Sequence, residues 1–254
     1  MLMRKSYLLM ASYLCVSIFL LSGCKVKTAK DYENPKDLYA RAQKLLEKKN
    51  YTDAAEHFEN LQNRFPESPL AIEAEFQKCE AYFKQGEFIE AEYAYAQFRK
   101  LHPTHPKIAH VTLQIGKAQL KQARKAPERD QTYTKSSLGF FSEVVRKYPG
   151  TEASQEALKL QQQAQMRLLQ RELYIGSFYI KLKKYPSALN RLLPLLENHT
   201  FTKLHQEARY KAALAHYKLK QPEEAKALLE QKMETGLAQS KYAKKIAQLL
   251  KKIS

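Results

Sequence analysis

A chain of 254 residues with three cysteines, 7 glycines and no tryptophan cannot rest on a disulfide framework, so its stability has to come from a packed core. A net charge of +17 would point to nucleic acid in a cytosolic protein. The N-terminus takes the chain away from that partner.

Arg4 and Lys5 precede an apolar run from Tyr7 to Leu21, which ends in Leu21-Ser22-Gly23-Cys24. The run is shorter than the roughly 20 apolar residues of a spanning helix, and it has the basic front and small-residue exit of an export signal. Ser22 and Gly23 are small enough to enter a peptidase cleft, and Cys24 offers a thiol for diacylglyceryl transfer, so the four residues resemble a bacterial lipobox. Residues 1–23 are therefore expected to be a lipoprotein signal peptide. The only non-protein group expected is covalent lipid on Cys24, palmitate among its chains, with no cofactor. Lys25 stands where Asp would favour retention on the inner membrane, and it points to the outer membrane, with the chain lipid-anchored on the periplasmic face. Loss of Arg4 and Lys5 lowers the charge from +17 to +15. For an exported chain that charge implies anionic lipid, acidic protein surface or plain solubility, and no nucleic acid. Cys15 leaves with the signal, and Cys79 remains as a free thiol.

Residues 24–34 are polar and aperiodic and read as a lipidated tether. From Pro35 onward the long stretches are rich in Ala, Leu, Lys, Gln and Glu, which predicts an all-α fold. Tyr51, Ala54, Phe58, Leu61 and Pro66 recur as Phe88, Ala91, Tyr95, Phe98 and Pro103, each displaced by 37 residues. This is close to the tetratricopeptide period of about 34. Small residues at Ala54 and Ala91 let antiparallel helices approach, the rings fill the next layer, and the prolines stop the second helix. A third unit carries Ser137, Phe141, Val144 and Pro149 after a polar link from Arg124 to Tyr133. A fourth carries Gly176, Tyr179, Tyr185, Ala188, Leu192 and Leu195, with Asn198-His199-Thr200 in place of the proline stop. A fifth carries Ala212, Ala213, Tyr217, Ala225, Leu228 and Leu229, with Pro222 opening its second helix. Tyr242, Ile246 and Leu249 line one face of a basic terminal helix suited to a cap. The expectation is a tetratricopeptide-type solenoid of about five antiparallel helix pairs and a C-terminal capping helix, with units one to three over 35–148 and units four, five and the cap over 149–254.

First helices of such repeats present a surface that takes an extended or helical segment. In units one and two the inward positions are Tyr39, Gln43, Leu46, Phe76, Glu80 and Phe83, a candidate peptide groove in which rings supply area and polar groups fix a backbone. The alternative, in which these rings pack between units, differs by one residue in register. Cys79 occupies the small position equivalent to Ala42 and reads as packing. His102-Pro103-Thr104-His105-Pro106, with His110 nearby, reads as a stiff turn and not a metal scaffold. No phosphate loop or nucleophile elbow is present, so no catalytic residue is expected and the chain is not expected to be an enzyme. Arg129 and Asp130, in Arg129-Asp130-Gln131-Thr132, and Asn190 with Arg191 are candidate partner-binding residues. Their forks and carboxylate suit backbone and charged partners, against the plainer readings of a solvated loop and a snorkelling arginine.

The lipobox, Asn63-Arg64-Phe65-Pro66, His102-Pro103-Thr104-His105-Pro106, Arg129-Asp130-Gln131-Thr132, the Phe141 to Pro149 unit, Glu172-Leu173-Tyr174, Phe178-Tyr179-Ile180-Lys181 and Asn190-Arg191 follow one another in this order. Together they resemble the BamD family of outer-membrane assembly lipoproteins, also called YfiO or ComL, over essentially the whole mature chain. The resemblance implies a non-enzymatic subunit of the β-barrel assembly machinery, the BAM complex, which folds and inserts barrel proteins into the outer membrane. Its implied partners are a BamA-like barrel protein, other assembly lipoproteins and unfolded outer-membrane proteins. The N-terminal units would face those clients, whose terminal strand could lodge rings at Tyr39, Phe76 and Phe83. The C-terminal half, with Asn190 and Arg191, would face BamA. The sequence departs from the family in its strong basicity, in Ser137 where alanine is usual, and in the weak stop of the fourth unit. A competing reading is a repeat lipoprotein scaffold for another envelope pathway, such as pilus assembly or a cell-wall enzyme complex. It would share anchor and repeats but lack the link motif and the Asn-Arg pair.

Overall fold

The computed structural model describes residues 33–197, 202–230 and 241–253. The signal segment, Cys24, Lys25, most of the tether and the Asn198-His199-Thr200 turn lie outside the described residues. Those residues form eleven α-helices and no strand. They fall as five consecutive pairs and a terminal helix, the tetratricopeptide-type all-α arrangement that the spacing predicts. Two compact units part between Ala81 and Tyr82. The boundary drawn from sequence at 148/149 falls in the turn before the seventh helix.

In the first unit, α1 (Pro35–Glu47) pairs with α2 (Tyr51–Arg64), and the opening turns of α3 (Ala71–Gln85) close the core. Asn34 caps α1 by accepting from the Asp37 amide at 2.9 Å, with Pro35 in the first turn, and Asn50 stands in the same relation to Asp53 at the start of α2. Leu38, Ala42 and Leu45 meet Ala54, Phe58 and Leu61, with Ala71 and Ala74 against them. The 4-then-3 spacing on both helices gives each one apolar stripe, and the two alanines let the backbones close together.

In the second unit, α4 (Phe88–Leu101), α5 (Ile108–Gln122), α6 (Thr132–Lys147), α7 (Glu152–Lys181) and α8 (Tyr185–Leu192) each pack on the next. A 3-10 turn (Leu193–Glu197) follows, then α9 (Thr202–Lys218) and α10 (Pro222–Glu230). The last helix, α11 (Lys241–Ile253), seats Ile246 and Leu249 on Ala213, Ala225 and Leu229 and so closes the end of the stack. The helix α7 is the one element that the repeat pattern understates. Ala157 and Ala164 serve the core with Phe141 and Val144, while Leu169, Leu173 and Tyr179 serve the core of α8 and α9. One 30-residue helix thus joins two layers.

Two punctuation devices repeat. The helices α2, α4 and α6 all end two residues before a proline. Phe65, His102 and Tyr148 take the same non-helical cap conformation there, and donate to Leu61, Phe98 and Val144 at 2.9, 2.8 and 3.0 Å. A proline drives its predecessor out of the helical region, so Pro66, Pro103 and Pro149 fix these ends. Within pairs the turn is left-handed: Lys49, Gly86, Lys183 and Lys220 have φ of 59°, 94°, 58° and 61°. The next amide in each turn donates five residues back, as in Asn50 to Leu45, Glu87 to Tyr82, Lys184 to Tyr179 and Gln221 to His216. This is the Schellman closure, which satisfies the last helical carbonyls.

Candidate partner-binding surfaces

On the first unit, Tyr39 and Gln43 lie one turn apart on α1, and the Gln43 amide donates to the Tyr39 oxygen at 2.9 Å. The Tyr39 ring stands edge-on to Phe58 with centroids 5.5 Å apart. Burial pushes the phenol above its ordinary range, and the Glu73 carboxylate adds to this against the Gln43 hydrogen bond, so Tyr39 stays protonated. On α3, Gln77 donates to Glu73 at 2.9 Å, with Glu80 on the following turn. Glu73 is close enough to Tyr39 to act on its phenol, so α1 and α3 bring these polar groups together. Leu46 is spent on the edge of the core. Phe76 corrects the expected register: it is 5% exposed and points into the core, so its ring offers nothing to a ligand. Phe83 belongs to the second unit, where it meets Phe88 edge-on at 5.4 Å and lies 5.6 Å from the Lys117 ammonium.

In the link before α6, Asp130 accepts from the Thr132 amide at 3.1 Å and its hydroxyl at 3.0 Å. These hydrogen bonds, the backbone one foremost, hold the Asp130 carboxyl below its usual range. The Arg129 carbonyl accepts from Arg171 on α7, while the Arg129 side chain stays exposed. The centre of the link is Gln131, not the flanking Arg129 or Asp130. It is 2% exposed, donates to the carbonyls of Arg124 and Ala126 at 2.9 and 3.1 Å, and accepts from Thr134 at 2.7 Å. One buried amide thus satisfies a loop that has no secondary structure of its own. An amide in a polar run gives no sequence signal of burial.

Next to Arg171 on α7, Glu172 pairs with Arg191 of α8 at 3.1 Å, and Asn190 is exposed beside Arg191. Tyr174 and Phe178 on α7 and Leu182 at its C-cap, spaced i, i+4, i+8, are 43%, 48% and 48% exposed. This leaves an exposed apolar stripe bordered by a charge pair. Sequence reasoning named Tyr174 and Phe178 only as parts of motifs, because aromatics at helical spacing ordinarily read as core.

The remaining candidates for chemistry are engaged in packing. His102 meets the Phe98 ring at a tilt and His105 meets it edge-on, with centroids 4.8 and 5.1 Å away, and His110 contacts Gln114 at 3.2 Å. Cys79 is buried, donates to the Glu75 carbonyl at 3.2 Å, and has its thiol pKa pushed up chiefly by that burial, which makes it a poor nucleophile. Among the described residues no group of three or more His, Cys, Asp or Glu side chains is placed to hold a metal, and no helix is long and apolar enough to cross a membrane.

The chain is 30% identical over 218 residues to the outer membrane protein assembly factor BamD of Rickettsia prowazekii, covering 85% of this chain and 86% of that one. It is 27% identical over 195 residues to BamD of Neisseria gonorrhoeae, covering 73% of each. Among solved structures, the TPR2AB domain of yeast Sti1 aligns with 86% of this chain and 98% of its own, at 12% identity and a TM-score of 0.43. The family profile described as "YfiO: Outer membrane lipoprotein" matches residues 31–233. With most of its length matched by that profile, the chain belongs to the YfiO family of outer membrane lipoproteins.

Proposed function

We propose that this protein is a lipid-anchored, non-enzymatic subunit of the β-barrel assembly machinery, held at the periplasmic face of the outer membrane by acylated Cys24. In this reading it binds a BamA-like barrel protein and unfolded outer-membrane proteins. The relatives named above as assembly factors support the role. The observation that carries the docking mode is the stripe of Tyr174, Phe178 and Leu182 beside the Arg191–Glu172 pair. It joins apolar area, which supplies affinity, to an exposed fork that sets register. Tyr39 with Gln43, and Glu73 with Gln77, then offer a second surface where an extended client chain finds backbone partners.

The test is co-purification of the full chain from detergent-solubilised outer membranes. Recovery of a large barrel protein with the wild type, and its loss on Arg191→Glu combined with Phe178→Asp, is the expected result. Recovery of cell-wall enzymes or pilus proteins instead would assign the repeats to another pathway. A Cys24→Ser chain should leave the membrane fraction, and its retention there would remove the anchor from the account.

A further inference from the structure

In the second unit, α5 and α7 enclose an open trough of about 560 Å³. One wall carries Lys117 and Lys121, one helical turn apart, with Lys125 following in the link. The other wall carries Glu156, Leu160, Gln163 and Arg167, and Leu120 forms part of the floor. Four cations face a single carboxylate. Lys117 is already paired with Glu156 at 2.9 Å, and Arg167 approaches the Leu120 carbonyl at 3.5 Å. Lys121 and Lys125 are exposed and form no ion pair with the described residues. The trough therefore carries an uncompensated positive charge against an apolar floor.

The spacing decides what kind of anion it suits. A single phosphate would need its cations gathered at one point, whereas Lys117 and Lys121 are strung along the wall with a rise of about 6 Å between them. That step is close to the roughly 6.6 Å between same-face side chains of an extended strand. From Glu156 to Arg167 the opposite wall runs about 16 Å, room for about five extended residues. We infer that this trough is a binding site for an extended acidic segment of a protein partner, with carboxylates at alternate positions. The carboxylates face the lysine wall, the intervening apolar side chains lie against Leu160, and the Gln163 amide meets the peptide backbone. The site is independent of the assembly role, since it requires only the trough and a partner of this chemistry.

The full chain, purified in detergent, should bind a fluorescent nonapeptide that alternates Glu with Leu. It should bind more weakly to a peptide of the same composition with its glutamates grouped, and negligibly to one with Gln for Glu. Affinity should fall as salt rises. Lys121→Glu with Lys125→Glu should weaken the alternating peptide by about tenfold or more, with helicity and thermal midpoint unchanged. A remote double reversal in the same unit, Lys251→Glu with Lys252→Glu on α11, should leave binding within about twofold, since α11 packs on α9 and α10 and not on the trough helices. Equal binding of alternating and grouped peptides, or equal loss in the remote variant, would overturn the site. So would a trough that ignores the peptide yet binds phosphatidylglycerol vesicles through Lys121 and Lys125.

Discussion

Gly176 on α7 lies so close to Leu192 on α8 that a Cβ built on it would stand 2.6 Å from the Leu192 Cγ and Cδ2. Leu192 is fully buried, so it has little room to retreat. Gly176→Ala is expected to destabilise the protein by about 1–3 kcal/mol through overpacking, although alanine is the better helix former. Gly139 on α6 has nothing within 4 Å of its added Cβ. Gly139→Ala should stabilise by up to about 1 kcal/mol on propensity alone. Denaturant midpoints of the two variants should move in opposite directions, and movement in the same direction would refute the packing at α7 and α8.

The left-handed lysines make a second prediction. Lys183 and Lys220 adopt φ of 58° and 61°, where a Cβ costs about 1 kcal/mol and glycine pays only in unfolded-state entropy. Lys183→Gly or Lys220→Gly should raise the thermal midpoint modestly. Gly86→Ala, at φ 94°, should lower it.

Gln131→Leu should cost about 1–3 kcal/mol, because it leaves buried polar groups of the link without partners. Hydrogen exchange should quicken first in residues 124–134. Unchanged exchange there would show that the amide does not organise the link.

Glu143 on α6 pairs with Arg99 on α4 at 2.8 Å and with Lys147 at 2.7 Å. Burial pushes its carboxyl up, but the Lys147 and Arg99 contacts together outweigh this and hold it below its ordinary 4.5. A depressed folded-state pKa contributes stability that is present above the unfolded value and is lost as pH falls through the folded one. The pair is partly exposed, so its contribution is well under 1 kcal/mol after screening. Glu143→Gln should flatten the acid limb of the stability profile slightly, below the ordinary carboxylate pKa, and leave neutral stability nearly unchanged.

The residues that were legible in the sequence are those that periodicity alone constrains. Ala54, Phe58 and Leu61 and their echoes Ala91, Tyr95 and Phe98 are all fully buried, because a 37-residue repeat returns the same helical stripe to the same neighbour. Phe141, Val144 and the proline stops followed for the same reason. The length of α7 was hidden by its polar run through Gln161, Gln162 and Gln163, which has too few apolar positions to show a stripe. Phe76 was misplaced because groove and core positions on α3 are separated by a small rotation. The roles of Gln131 and of the exposed Tyr174 and Phe178 depend on what surrounds them in space, and residue type carries no such information.

The proposed function has the C-terminal end of α7 dock a barrel protein. A photo-crosslinking amino acid placed at Phe178 in intact cells tests it most directly. A covalent adduct with one large outer-membrane barrel protein, diminished by Arg191→Glu, is the expected result. Labelling of lipid or of soluble envelope enzymes, with no barrel protein in the adduct, would contradict it.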